Sequence, residues 1–124
     1  MSTVLVVDDE QSMRRVLRGY LERSGYDVVE AGSGADAMRF LQSGDPVDAV
    51  VSDVLMPEVS GLAFYDSLLA TSPQLKNRVV FLTGAARDPK VLAPIEQRGV
   101  PIISKLDDLS LVVDAVRLAL LKRK

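Results

Sequence analysis

The chain has 124 residues, of which 48% are hydrophobic and 26% are charged, and its formal net charge is −2 at pH 7. This composition predicts one globular domain with its own core and excludes a disordered chain. The weak negative charge argues against direct binding of nucleic acid, and the absence of cysteine and histidine excludes disulfides, thiol chemistry, a histidine base and a phosphohistidine on this chain.

Strand-like and helix-like segments alternate five times along the chain, without an internal linker, a repeat or a low-complexity tract. Nearly continuous apolar runs, rich in β-branched residues, predict strands that are buried on both faces, as in a parallel sheet. Four of these runs cover residues 4–7, 49–52, 79–82 and 100–104. We expect Pro101 to lie in an edge strand, where a missing backbone donor is tolerated.

Apolar residues at helical spacing mark the segments between the strands. Gly25 is a predicted C-cap of the first helix, and Ser33 and Ser60 are predicted N-caps of the second and third helices. The pair Ser72-Pro73 predicts the end of the third helix.

The fourth helix is predicted to be short or irregular. Asp88 and Pro89 suit the N-cap and the first helical position, but Pro94 follows five residues later. Proline in a helix interior costs about 3 kcal/mol. A regular helix from Pro89 to Arg98 would contradict this prediction.

The last helix is predicted from about residue 108 to residue 122, and it is apolar on more than one side. The leucines that lie off its main apolar stripe are candidates for a dimer or partner surface, and a partly covered surface helix is the alternative. These leucines are Leu111, Leu118 and Leu121.

These elements predict a single α/β domain over residues 1–124, with no effector domain in the chain. The expected architecture is a (βα)₅ three-layer sandwich with right-handed crossovers and a five-stranded parallel sheet in the order 2-1-3-4-5. No basic-then-apolar leader opens the sequence, and no apolar run approaches the roughly 18 residues of a membrane span. We therefore expect a cytoplasmic protein that does not contact a membrane.

Polar residues follow the apolar runs: Asp8 and Asp9 after the first, Asp53, Thr83 and Lys105 after three others. In a parallel sheet these residues emerge along one edge, where open α/β sheets bind ligands. Three clustered carboxylates repel one another unless a cation joins them, and Mg²⁺ is the natural candidate because it also bridges to phosphate oxygens. A carboxylate can attack phosphorus, and the hydroxyl and ammonium groups can bind phosphoryl oxygens.

The segment Asp53-Val54-Leu55-Met56-Pro57, followed by Gly61, completes this pattern. With it, the chain resembles the receiver domain of two-component response regulators over essentially its whole length. The resemblance implies a flavodoxin-like fold and a cytoplasmic phosphoprotein of a phosphorelay, a switch and not an enzyme. It also implies that Asp53 accepts a phosphoryl group from a sensor histidine kinase or a hybrid kinase.

The resemblance further assigns a ligand set. Asp8, Asp9 and Asp53, with the backbone carbonyl of Leu55, would bind Mg²⁺ or Mn²⁺. Thr83 and Lys105 would bind the phosphoryl oxygens, and Gly84 beside Thr83 would leave room for the incoming group. The output of the family passes to a downstream protein or to a second copy through the face of the fourth helix, the fifth strand and the fifth helix.

Several positions depart from the family pattern or tune it. Leu106 follows the active-site lysine where the family usually has proline, and Ile102 stands where the family commonly has an aromatic switch residue. An aliphatic Ile102 favours core packing over switching. Leu55 and Ala85 occupy the positions that tune access of water, and both are apolar, so we expect slow self-dephosphorylation.

Two other functions compete with the phosphoacceptor switch. The departures at Ile102 and Leu106 favour a receiver-like module that binds partners without phosphorylation, whereas the complete acidic pocket argues against it. A flavoprotein or a small phosphohydrolase of the same fold is the third hypothesis. It is disfavoured because no glycine-rich phosphate loop follows the first strand and no tryptophan is available to stack on a flavin.

Overall fold

The computed structural model describes residues 2–56, 60–85 and 87–121, and its five parallel strands lie in the order β2-β1-β3-β4-β5. This confirms the predicted fold class and strand order. The strands are β1 (Thr3–Val7), β2 (Asp27–Ala31), β3 (Ala49–Asp53), β4 (Val79–Thr83) and β5 (Ile102–Ser104). The helices are α1 (Gln11–Arg23), α2 (Gly34–Gln42), α3 (Gly61–Thr71), α4 (Pro89–Arg98) and α5 (Ser110–Leu121), with a short 3₁₀ helix at Pro73–Leu75.

Side chains alternate between the two faces of the sheet and build two cores. On β1, Leu5 and Val7 belong to the core under α2, α3 and α4, whereas Val4 and Val6 belong to the core under α1 and α5. All residues of β3 and β4 are buried, which explains their continuous apolar runs. Each fully buried valine or leucine contributes about 1.5–3 kcal/mol of transfer free energy.

The predicted helix ends are confirmed. The Ser33 hydroxyl accepts a hydrogen bond from Asp36 N, and the Ser60 hydroxyl accepts one from Ala63 N. Gly25 follows the end of α1 with φ +93°, a conformation that favours glycine. The third helix ends at Thr71, directly before the pair Ser72-Pro73.

The prediction of a short or irregular fourth helix was wrong, because α4 runs from Pro89 to Arg98 with Pro94 inside it. Several contacts offset the cost of this proline. Asp88 caps the first turn by accepting a hydrogen bond from Lys90 N, and Gly99 ends the helix with φ +69°. Between these ends, Ile95 is fully buried in the core. The carbonyl that Pro94 leaves without its helical donor belongs to the exposed Lys90, in the first turn, where water can reach it.

The fifth strand is shorter than predicted. Pro101 directly precedes β5, and its carbonyl oxygen still accepts a hydrogen bond of 2.9 Å from Phe81 N on β4. The last helix begins at Ser110, and the predicted end at Lys122 lies outside the described residues, as does Pro57. Within the described part of the chain, the helices are too short or too polar to cross a membrane.

Candidate functional site

The carboxyl ends of the strands bring the predicted polar residues to one edge of the sheet. Asp8 and Asp9 directly follow β1, Asp53 ends β3, Thr83 ends β4 and Lys105 directly follows β5. The backbone N–H of Lys105 donates a 2.9 Å hydrogen bond to the Thr83 carbonyl, which joins the last two of these strand ends. Asp8, Asp53 and Thr83 are buried, whereas Asp9 is exposed.

Three carboxylates form a cluster at this edge. One oxygen from each of Asp8, Asp9 and Asp53 lies within 4.8 Å of the other two. Local backbone donors orient two of them, since Asp8 Oδ1 accepts a 2.9 Å hydrogen bond from Glu10 N and Asp53 Oδ1 accepts one of 3.2 Å from Leu55 N. The second carboxylate oxygen, Oδ2, of both Asp8 and Asp53 faces the ammonium of Lys105.

Gly61 lets the first turn of α3 pack directly against the backbone of Asp53. A Cβ atom at this position would overlap the Asp53 carbonyl oxygen and would lie 2.8 Å from the Cα of Val54. The Gly61 N–H donates a 2.8 Å hydrogen bond to the Val54 carbonyl, which holds the helix start in this place. The glycine of the sequence motif is therefore required by close packing beside Asp53.

Lys105 is the cation of the cluster. Its ammonium lies 3.0 Å from Asp8 Oδ2, 3.0 Å from Asp53 Oδ2 and 3.1 Å from Glu10 Oε1. Only 13% of its side-chain surface is exposed, so these contacts are poorly screened by water. Lys105 thus neutralises part of the charge that Asp8 and Asp53 place in a buried site.

The pKa values of the central pair follow from burial and mutual contact. Burial raises the pKa of Asp53 above its ordinary 3.8; the hydrogen bond from Lys105 opposes this, and the charge of Asp8 reinforces it. Burial alone would lower the pKa of Lys105, but the hydrogen bond to Asp53 and the negative charges of Asp53 and Asp8 outweigh burial and raise it. Lys105 is therefore a permanent cation at neutral pH.

The residues of the cluster fit a small divalent cation. Asp8 Oδ2 is fully buried and contacts the Lys105 ammonium without the alignment of a hydrogen bond, so it retains lone pairs directed into the cluster. Oxygen ligands from a few carboxylates are what Mg²⁺ prefers, with waters or phosphate oxygens filling its other positions. The carboxylate oxygens of this cluster are therefore suitable ligands for Mg²⁺ or Mn²⁺.

The neutral residues of the site surround Asp53 and Thr83. The Thr83 hydroxyl accepts a 3.1 Å hydrogen bond from Ala85 N, and Gly84 between them is exposed. Leu55 is 56% exposed, so its side chain reaches solvent beside Asp53. An open cleft is lined by Gly84, Ala85, Ser104 and Leu106, which are sequence neighbours of Thr83 and Lys105.

The face predicted for output contains one aliphatic residue that packs against the core and several exposed leucines. Ile102 pairs with Phe81 of β4 and packs against the core under α2, α3 and α4, as an aliphatic residue is expected to do. The leucines of α5 that lie off its apolar stripe are exposed, as is Leu106 in the preceding loop. Their exposed fractions are 43% for Leu111, 63% for Leu118, 74% for Leu121 and 88% for Leu106.

Two charged residues of this region were not predicted from the sequence as part of the site. Glu10 contacts Lys105, and Arg14 donates a 2.6 Å hydrogen bond from Nη1 to the Asp8 carbonyl. The acidic run Asp8-Asp9-Glu10 was a signal for the first. No sequence signal distinguished Arg14 from the neighbouring arginine, because the direction of a long side chain depends on the tertiary fold.

Comparisons with known proteins agree on one family. Residues 4–117 match the family model of the response regulator receiver domain. The response regulator receiver protein CpdR of Brucella abortus is 34% identical, and the match covers 75% of this chain and 84% of that protein. The signal receiver domain of a histidine kinase from Syntrophus aciditrophicus superposes with a TM-score of 0.85 at 30% identity, covering 100% of this chain and 95% of that structure.

Some relatives are much longer than this chain. The sensor kinase CckA of Brucella abortus is 41% identical over 70% of the chain, but the chain spans only 9% of that kinase. The similarity to CckA is therefore a similarity to one segment of a larger protein.

Proposed function

The chain belongs to the response regulator receiver domain family, and we propose that it takes a phosphoryl group from the phosphohistidine of a sensor histidine kinase or hybrid kinase onto Asp53. The observation that carries this proposal is the position of Asp53. Its carboxylate is buried between the acidic partner Asp8 and the ammonium of Lys105, at the edge where the sheet opens to solvent.

In the proposed reaction, a carboxylate oxygen of Asp53 attacks the phosphorus, and the bond from phosphorus to the imidazole nitrogen of the donor breaks. The imidazole leaves with the bonding electron pair, and Asp53 becomes an acyl phosphate. Lys105 then has a phosphoryl oxygen as a partner in addition to Asp8. The Thr83 hydroxyl donates a hydrogen bond to another phosphoryl oxygen, and the exposed Gly84 leaves space for it.

The metal would be held by Asp8, Asp9 and Asp53, with the backbone carbonyl of Leu55 as a further ligand. When bound, Mg²⁺ or Mn²⁺ neutralises charge on the phosphoryl oxygens in the loose transition state. The chain's own residues orient the nucleophile, since Leu55 N and the Lys105 ammonium each donate a hydrogen bond to the Asp53 carboxylate.

Phosphorylation would act as a switch and not as a catalytic cycle. The acyl phosphate carries a charge of about −1.5 to −2 where the Asp53 carboxylate carried a single negative charge, and this change biases two preexisting conformations. The proposed output surface comprises α4, β5 and α5, where Leu118 and Leu121 are exposed to a downstream protein or to a second copy of the chain.

Phosphotransfer to the wild type and to Asp53→Asn tests the site assignment. Purified histidine kinase carrying labelled phosphohistidine should label the wild type and leave Asp53→Asn unlabelled. The matched control is Asp45→Asn, an exposed aspartate in the loop between α2 and β3, which should be labelled like the wild type. Equal labelling of Asp53→Asn and the wild type would overturn the assignment.

A receiver-like module that works without phosphorylation is the second candidate, because Ile102 packs against the core and Leu106 replaces the usual proline. Beryllofluoride with Mg²⁺, an analogue of the bound phosphoryl group, separates the two functions. A change in the amide NMR spectrum around Asp53, Thr83 and β5 supports the phosphoacceptor switch. An unchanged spectrum supports the constitutive module.

A further inference from the structure

We propose that Arg14 is a positioning residue for the metal site: its guanidinium fixes the main chain of Asp8 to β2 and thereby holds the Asp8 carboxylate in the geometry that binds a divalent cation. This inference rests on the proposed function, because it concerns the same acidic cluster. It adds a residue that is not a ligand and that lies outside the family motif recognised in the sequence.

Both main-chain polar groups of Asp8 form specific hydrogen bonds with neighbouring elements. Its N–H donates a 3.1 Å hydrogen bond to the carbonyl of Ala31, the last residue of β2. Its carbonyl accepts the 2.6 Å hydrogen bond from Arg14 Nη1. Asp8 has left β1 at this point, so Arg14 replaces the strand partner that the carbonyl would otherwise have.

Arg14 is itself held in place by residues of β2 and of the loop that follows it. Its Nε donates a 3.1 Å hydrogen bond to Glu30 Oε1, and only 16% of the Arg14 side chain and 25% of the Glu30 side chain are exposed. The guanidinium also lies beside Gly32, where a Cβ atom would be 3.5 Å from Nη1. A planar guanidinium with two partners in fixed directions holds the carbonyl more rigidly than a flexible ammonium could.

Arg18, one helical turn after Arg14, provides a matched comparison. It bonds the other oxygen of Glu30, at 2.8 Å from Nε, and donates to the carbonyl of Val28 at 3.2 Å. Arg18 therefore shares the acidic partner and the attachment to β2, but its hydrogen bonds go to Glu30 and Val28 and not to Asp8. Any effect that is specific to Arg14 reports on the contact with the metal-binding loop.

The direction in which Arg14→Gln changes the affinity for Mg²⁺ distinguishes a positioning role of Arg14 from an effect of its charge. A cation this close to the acidic cluster repels a dication, so if charge alone mattered, Arg14→Gln would strengthen Mg²⁺ binding. If Arg14 positions Asp8, the same change weakens binding, by about tenfold or more, as is usual when a group that orients a metal ligand is removed. Arg14→Lys keeps the charge but loses the planar group that donates to Asp8 and Glu30 in two fixed directions, so it weakens Mg²⁺ binding as well.

The experiment is calorimetric titration of Mg²⁺ into the wild type, Arg14→Gln, Arg14→Lys and Arg18→Gln, with thermal melting of each variant. We expect about a tenfold higher Kd for both Arg14 variants and a Kd within about twofold of the wild type for Arg18→Gln. An unchanged or lower Kd in Arg14→Gln, or an equal loss in Arg18→Gln, overturns the inference. If Arg14→Gln does not fold, Arg14→Lys decides by the same criterion.

The wild-type titration distinguishes this inference from the proposed function. A wild type that does not bind Mg²⁺ contradicts the metal site itself and removes the basis for a positioning role. A wild type that binds Mg²⁺, with Arg14 variants that bind it equally well, leaves the proposed function intact and overturns only the role of Arg14.

Discussion

Leu55 and Ala85 border the proposed phosphorylation site with side chains that cannot form hydrogen bonds. Leu55 is 56% exposed beside Asp53, and Ala85 is half-buried two residues after Thr83. Hydrolysis of an acyl phosphate requires a water molecule that is held in line with the phosphorus, and neither side chain can orient one. We therefore expect phosphorylated Asp53 to lose its phosphate slowly, with a half-life longer than seconds.

Replacing Leu55 by asparagine should accelerate this hydrolysis. An amide beside Asp53 can hold the attacking water, and we expect the half-life to fall by about tenfold. Release of labelled phosphate from purified phosphoprotein measures the rate. Leu106→Asn, which adds an amide to the cleft beside Gly84 and Ala85, in the loop after Lys105, is the control and should behave like the wild type. A wild-type half-life of seconds, or equal rates for Leu55→Asn and the wild type, would contradict the prediction.

Residues at strand ends could be predicted from the sequence, and residues on the first helix could not. A parallel sheet fixes where Asp8, Asp53 and Lys105 emerge, because each follows an apolar run whose direction is set by the fold. Arg14 reaches the site through a long side chain whose rotamer depends on neighbours that are distant in sequence. Arg14 depends on Glu30, which lies on the adjacent strand.

At the scale of elements, one ion pair links α3 to α4. Arg98 donates hydrogen bonds of 3.2 and 2.9 Å from Nε and Nη2 to the two carboxylate oxygens of Asp66. These hydrogen bonds lower the pKa of Asp66 below its ordinary 3.8. Because the folded-state pKa is depressed, the pair stabilises the fold above pH 3.8, and this contribution is lost as the pH falls through the folded-state pKa.

Asp66→Asn should therefore destabilise the protein at neutral pH but not in acid. The carboxylate is 57% exposed, so water screens the pair and we expect a loss of only about 0.5 kcal/mol in the free energy of unfolding at pH 7. Urea unfolding at neutral pH and at a pH below the folded-state pKa of Asp66 measures the difference. Asp45→Asn serves as the control, and a difference for Asp66→Asn that persists unchanged in acid would contradict the assigned cause.

Helix boundaries followed from local chemistry wherever a cap residue was present, as at Ser33, Ser60 and Asp88. The error at α4 came from treating Pro94 by its local cost alone. That cost of about 3 kcal/mol is comparable with burying one large side chain, and Ile95 is fully buried beside it. Tertiary packing of this kind cannot be read from a ten-residue window.

At the scale of the whole molecule, the order of the strands concentrates negative charge at one edge of the sheet. Lys105 directly follows the edge strand β5, and its ammonium contacts both Asp53 at the end of the central strand β3 and Asp8 after the neighbouring strand β1. Asp8, Asp53 and Lys105, which come from three separate βα units, therefore form one cluster of interacting charges. Folding brings these charges together, and the lysine and a bound dication are alternative ways of compensating them.

The variant Lys105→Met should be less stable than the wild type without metal and should depend more on bound Mg²⁺ for its stability. Without Mg²⁺, Asp8 and Asp53 lose their shared cation, and we expect the free energy of unfolding to fall by about 2 kcal/mol, less than for a fully buried pair because Asp53 can take up a proton. Mg²⁺ binds only the assembled site, so it stabilises the fold by mass action, by about 2.7 kcal/mol at one hundred times its Kd.

The stabilisation by a given concentration of Mg²⁺ should be larger in Lys105→Met than in the wild type, because the dication no longer competes with an ammonium for Asp8 and Asp53. Urea unfolding with and without Mg²⁺ measures both effects. Lys90→Met, which removes an exposed lysine of α4, controls for net charge and should respond to Mg²⁺ like the wild type. Equal stability of Lys105→Met and the wild type without metal would mean that Lys105 does not balance the acidic cluster.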